Sequence, residues 1–170
     1  MAFDAFLKID SIDGESPDDK HKNEVQLAGF KFEMTQTASV GAGSGAGSGK
    51  IKMGDFEFLA PIGKQTVLLQ NACETGKHIT SAVMSIREAG GTQQDYYKVT
   101  LSDCVVTSYK VGVRPGADWI IDPDFPQDGL LEIFAIAFSK IEREYSPQKS
   151  DGSLDSPVKG GYDVKANKTV

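Results

Sequence analysis

Val25-Gln26-Leu27-Ala28-Gly29-Phe30-Lys31-Phe32-Glu33-Met34-Thr35 is the stretch whose reading decides the fold. Apolar residues fall at odd positions in Val25 and Leu27, then at even positions in Phe30, Phe32 and Met34. Period-2 alternation is the mark of a half-buried strand, and a slip of phase at a glycine marks a bulge or sharp bend. Gly29 sits at the slip. The same slip recurs at Gly54, with Ile51 and Met53 before it and Phe56 and Phe58 after it. Two bent strands predict a small closed or nearly closed barrel. Phe30, Phe32 and Met34 are expected to face its core, which leaves Lys31, Glu33 and Thr35 on the opposite face.

Upstream, Phe3, Ala5, Leu7 and Ile9 share one face of a first strand, with Asp4 and Lys8 on the other. Residues 10–23 carry Gly14, Pro17 and the acidic Asp13, Glu15, Asp18 and Asp19, and read as a solvated loop. Downstream, Leu68, Leu69, Ala72 and Cys73 make a helical stripe over residues 66–75, with Thr66 as N-cap and Gly76 as terminator. Strands follow at 82–87, 96–101, 105–113 and 131–137, the first two joined by a turn at Ala89-Gly90-Gly91-Thr92. Residues 112–129 form a long loop with Pro115, Pro123, Pro126 and the single tryptophan, Trp119, a candidate interface anchor or a cap on the barrel. Residues 147–170 read as an edge strand or weakly ordered tail of the same domain as residues 1–146. The fold class is mainly β, a barrel or sandwich with one helix.

A chain of 170 residues is the size of one domain and needs no metal or disulfide to build a core. Its net charge of −6 argues against a sequence-independent grip on nucleic acid. Met1 to Lys8 lacks the basic and apolar regions of a cleaved signal peptide. The longest apolar stretch, residues 130–138, is interrupted by Glu132 and is too short to span a bilayer as a helix, so no membrane insertion is expected. Cys73 and Cys104 lack metal or redox spacing and read as two buried thiols, with a bond between them left open.

Tests for chemistry fail one by one. Gly41, Gly43 and Ala46 satisfy a degenerate dinucleotide fingerprint, but Lys50-Ile51-Lys52-Met53 continues as a strand, where the pyrophosphate needs a helix N-terminus. Gly49-Lys50 resembles the end of a phosphate-binding loop, yet Ser44 and Ile51 stand where glycine and Ser or Thr are required. The run Gly41-Ala42-Gly43-Ser44-Gly45-Ala46-Gly47-Ser48-Gly49 is therefore read as a flexible connector. His21 and His78 have no partner at metal spacing and read as surface or turn residues. Glu15, Asp18, Asp19, Asp122, Asp124 and Asp128 lie in loop segments without calcium-loop spacing. No catalytic, cofactor or metal residue is nominated, and an enzyme is not expected.

Five short motifs then carry a family likeness. They are Phe6-Leu7-Lys8-Ile9-Asp10 with Gly14-Glu15-Ser16 and Asp19-Lys20-His21-Lys22; the glycine tract with Gly49-Lys50-Ile51; Ala72-Cys73-Glu74-Thr75-Gly76-Lys77-His78; Arg87-Glu88-Ala89-Gly90-Gly91; and Glu142-Arg143-Glu144-Tyr145. In this order they resemble the Hcp family, hemolysin-coregulated proteins of the bacterial type VI secretion tube. Phe30-Lys31-Phe32 departs from the family's W-x-W, and Gly63-Lys64-Gln65-Thr66 from its acidic-x-A-S-P run. The resemblance implies a β-barrel of two sheets with one flanking helix, assembling as a hexameric ring. Rings would stack into a tube expelled with the spike, with the sheath, the spike and small effector proteins as partners. It implies synthesis in the bacterial cytoplasm and secretion by the type VI system. On this likeness Lys31, Glu33 and Thr35 become lumen-facing cargo contacts, and residues 41–49 the loop that meets the next ring. The competing expectation is a free-standing β-barrel module that binds carbohydrate or peptide.

Overall fold

β1 (Phe3–Ile9) buries Ala5, Leu7 and Ile9 and exposes Lys8, as alternation requires. It also buries Phe6 on its other side, under the segment that follows. These residues belong to a computed structural model that describes residues 3–37, 51–88, 93–112, 115–125 and 129–170. The glycine tract 41–49 and the turn at 89–92 lie outside the described residues.

The trunk of the sheet is a single 17-residue strand, β8 (Asp95–Val111), where sequence spacing predicts two strands. Its first half is flanked by β7 (His78–Glu88) on one edge and β11 (Lys140–Tyr145) on the other. Its second half pairs with β10 (Leu131–Ala137). Asp103, at φ 53°, marks the place on β8 opposite the break between β10 and β11. One wing then runs from β7 to β1 and on to β2 (Val25–Leu27). The other runs from β10 to β6 (Phe56–Pro61), β3 (Gly29–Lys31) and β9 (Ile120–Ile121). At the C-terminus β12 (Val158–Asp163) and β13 (Lys168–Thr169) extend the sheet beyond β11.

The expected mainly β fold with one helix is present, whereas closure into a barrel of two sheets is not seen among the described strands. The described strands make one eleven-stranded sheet and a separate ribbon of β4 (Met34–Gln36) with β5 (Ile51–Met53), and no ladder among them returns to close a ring. The phase slip at Gly29 is a change of wing: β2 pairs with β1, whereas β3 pairs with β6, and Ala28 between them donates its N–H to Leu59 O. The slip at Gly54 separates the ribbon from the sheet. Met34 therefore sits on the ribbon, 41% exposed, and does not face the core; Phe30 and Phe32 do pack against it.

The core has two parts. The larger joins the inner faces of both wings, with Phe58 stacked on Phe56 and tilted against Phe134. The smaller gathers Ala28, Leu59, Leu131 and Ile133 under Trp119, Ile121 and Phe125. Within residues 119–125 the long loop thus contributes a short strand and side chains that cover the second cluster. Cys104 is buried, its thiol pushed up to about 11 by burial, and Cys73 packs half-buried on the larger cluster; both are free.

The helix α1 (Gln65–Thr75) ends as expected at Gly76, whose φ of 62° places it in the left-handed region that glycine accepts. Its start differs. Thr66 lies inside the first turn instead of capping it, and its hydroxyl accepts from Gly63 N and donates to Glu132. Of the predicted stripe, Leu69 and Ala72 are buried while Leu68 is 42% exposed.

Candidate functional site

Lys31 closes β3, and its ammonium pairs with Asp118 on the segment that leads to β9. The hydrogen bond raises the Lys31 ammonium above its ordinary value and holds the Asp118 carboxyl below the usual carboxylate range. Glu33 follows between β3 and β4, with its carbonyl accepting from Gly54 N, and Thr35 lies on the ribbon. Both are exposed, so the three predicted contacts lie on consecutive pieces of chain and not on one continuous strand. Trp119, next to Asp118, is half-buried against the second cluster.

Beside Lys31 a cleft of about 250 Å³ opens among residues of β3, β6, β8 and β11. Phe30, Phe32, Phe56 and Tyr97 wall it, and the buried Ile141 forms its floor. Arg143 also lines it. Burial pushes the Tyr97 hydroxyl up, so it stays protonated at neutral pH. Sequence reasoning missed Arg143 and Asp118 as members of this site. The signal for Arg143 was its i, i+2 spacing from Ile141, which places a cation on the core-facing side of β11.

A second polar centre clasps the 10–24 segment to the sheet. Arg87 is buried, donating from Nε to Asp4 at 3.0 Å and from Nη2 to Asp18 at 2.5 Å. Its guanidinium lies 4.8 Å from the Phe6 ring centroid, and Phe6 stacks on His21 at 4.3 Å. His21 is buried, a correction to its reading as a surface residue; its Nδ1 faces Glu24 at 2.8 Å and its Nε2 faces Asp95 at 3.2 Å. Gly14 makes room for this clasp, since a Cβ there would lie 2.5 Å from Glu24 O. The Arg87 hydrogen bond holds the Asp18 carboxyl below the usual carboxylate range. A depressed folded pKa contributes stability that is complete above the unfolded value, about pH 4, and is lost as pH falls through the folded value. Asp18→Asn keeps the turn bonds that Oδ1 accepts from Lys20 and His21 but removes this charge. Urea midpoints measured from pH 7 down to pH 3 should therefore fall more steeply for the wild type than for D18N; parallel slopes would exclude the clasp as an acid-sensitive element.

The remaining acidic candidates do not assemble. Asp122 is buried and bonds to the backbone of Asp124, and Asp128 lies outside the described residues. Asp103 accepts from Ser139 Oγ at 2.8 Å and faces His78 Nε2 at 3.3 Å. The acid stands between serine and histidine, so the histidine cannot take the serine proton and no nucleophile is activated. No cluster of three or more His, Cys, Asp or Glu suited to a metal occurs among the described residues.

Comparison with known proteins fits this architecture. The family model described as type VI secretion system effector, Hcp, matches residues 6–145. The chain is 40% identical over 169 residues to Protein hcp1 of Pseudomonas aeruginosa, covering 98% of each. Among solved structures it is similar to Hcp1 from Salmonella typhimurium, at 30% identity and TM-score 0.77 over the whole of both chains. It is also similar to a type VI secretion system effector from Yersinia pestis, at 27% identity and TM-score 0.71 over 95% of this chain and all of that one. Spanning both the clasp motif at residues 14–22 and the strand that carries Arg143, these matches establish that the chain belongs to the Hcp family of type VI secretion proteins.

Proposed function

We propose that this chain is a structural subunit of the type VI inner tube, closing six-membered rings that stack and are expelled with the spike. The observation that carries the proposal is full-length likeness to Hcp proteins. The surface supports it. Ile62, Val111 and Leu130 expose apolar side chains at one end of the adjacent strands β6, β8 and β10. Tyr145 and Val158, partners in register, expose another such pair at the far end of β11. Two different apolar patches suit a head-to-tail contact, the kind that closes a ring.

Within that assembly residues 1–146 and the edge formed by 147–170 act as one domain. Lys31, Glu33 and Thr35 face the lumen and touch small carried effectors, residues 41–49 meet the next ring, and Trp119 anchors a neighbouring subunit. The sheath surrounds the tube, the spike leads it, and the protein leaves the cytoplasm through the type VI system. Catalysis has no place in the scheme.

Native mass spectrometry with negative-stain microscopy of the purified protein tests the reading. A six-fold ring is expected; a monomer that persists across concentration would overturn it and favour a free-standing binding module. For the lumen contacts, Lys31→Gln with Glu33→Gln should weaken co-purification of effectors, and unchanged recovery would remove those residues from the role.

A further inference from the structure

The cleft beside Lys31 has the composition of a binding site that the tube role does not require. On β11 the partners of Arg143 in register are the buried Val99 on one side and Gly160 on the other. Its sequence neighbours Glu142 and Glu144 are engaged elsewhere, with Lys140 and Lys159. Among the described residues Arg143 forms no ion pair. Arg143 is half-buried beside the cleft, which leaves its guanidinium free to pair with an incoming anion. Asp118 is, among the described residues, the one anion lining the cleft, and it is committed to Lys31. Among the described lining residues Lys31 and Arg143 are the cations and Asp118 the anion, with Glu33 and Glu57 acting on Lys31 from nearby, so Arg143 is the cation left for a ligand.

Its walls supply the other half of the recognition. Phe32 and Phe56 are stacked at 4.9 Å, with Phe30 beside them and Tyr97 across the gap. A cavity of about 150 Å³ holds a benzene ring, so 250 Å³ admits one ring and a short polar tail but not a drug-sized ligand.

We propose that this cleft binds an aromatic group bearing a carboxylate, the C-terminal aromatic residue of a carried protein, with its ring among the four aromatic walls and its carboxylate bridging Arg143 and Lys31. Asp118 is 61% exposed and acts as the internal occupant of Lys31, displaced when the ligand carboxylate arrives. Trp119, adjacent to Asp118 and the only tryptophan, reports that displacement. The proposal rests on the reading of Lys31 as a cargo contact, but its test does not use cargo.

The probe is N-acetyl-phenylalanine, titrated against the intact protein while Trp119 emission is followed, with N-acetyl-phenylalaninamide as the uncharged comparison. The acid should give a saturable change, with the amide at least tenfold weaker. Asp118→Asn, which frees Lys31, should tighten the acid several-fold, and Arg143→Gln should weaken it about tenfold. Equal binding of acid and amide to the wild type, or an affinity that D118N leaves unchanged, would overturn the proposal. Because the wild-type comparison needs no variant, it holds even if R143Q folds poorly. Probe binding alongside effector recovery unaffected by K31Q and E33Q would keep the cleft and discard the cargo reading.

Discussion

Phe58→Ala should cost about 4 kcal/mol of unfolding free energy, measured as a shift of the urea midpoint at unchanged slope. Phe58 is fully buried, stacked on Phe56 at 4.9 Å and packed on Phe134 at 5.4 Å. It sits where β6 is paired on both edges, opposite Phe134 of β10 and Phe30 of β3. Removing the ring deletes its transfer free energy and leaves a void that two fixed ladders prevent from collapsing. With domains of this size stable by about 5–15 kcal/mol, that loss is a large share of the total. A loss below about 1.5 kcal/mol would show that the wings can close around the gap.

Glu132→Ala should cost about 3 kcal/mol, by a different route. The carboxylate is fully buried in β10 and accepts from Gln65 Nε2 at 2.8 Å, Thr66 Oγ1 at 2.9 Å and the Tyr109 hydroxyl at 2.6 Å. It thereby ties the first turn of α1 to two strands. Burial, followed by this hydrogen bond, holds the Tyr109 phenol above its ordinary value. Alanine takes the shared acceptor from the Thr66 and Tyr109 hydroxyls, leaving them each other and Gln70 beside the phenol, while Gln65 keeps its bond to Pro61 O. A buried donor left without a full partner costs about 1–3 kcal/mol, partly offset because the buried carboxylate is also gone. Amide exchange should rise first in α1, before the sheet opens. If E132A matched wild-type stability, the carboxylate's own desolvation would be cancelling its three bonds.

How much of this was legible beforehand follows from the distance over which each feature is decided. β1, β10 and the C-terminal stop of α1 answer to local rules, alternation in the first, a short apolar run in the second and a left-handed glycine in the third, and all three read directly from sequence. The slip at Gly29 was visible, but its meaning depends on β6, which lies well downstream in the chain. Met34 was misassigned for the same reason, because nothing local reveals that β4 leaves the sheet to pair with β5. Thr66 looked like a cap until its hydroxyl was taken by a carboxylate 66 residues away. Glu132 had announced itself only as an interruption in an apolar run. In the site, Lys31 was legible as an outward residue of an alternating strand, whereas its partner Asp118 lies 87 residues on.

The shared trunk strand has a bearing on how the molecule folds and comes apart. Because β8 lends one half to each wing, and the two wings meet again through Ala28, neither wing retains a complete edge if the other peels away. Partial opening is thereby coupled to global unfolding, which favours all-or-none loss of structure over detachable parts. Pairings as distant as Phe3 with Glu88 and Phe56 with Ile136 make that transition a slow one, in the millisecond-to-second range of sheet proteins with non-local contacts. A chain built this way holds its shape until it loses it entirely.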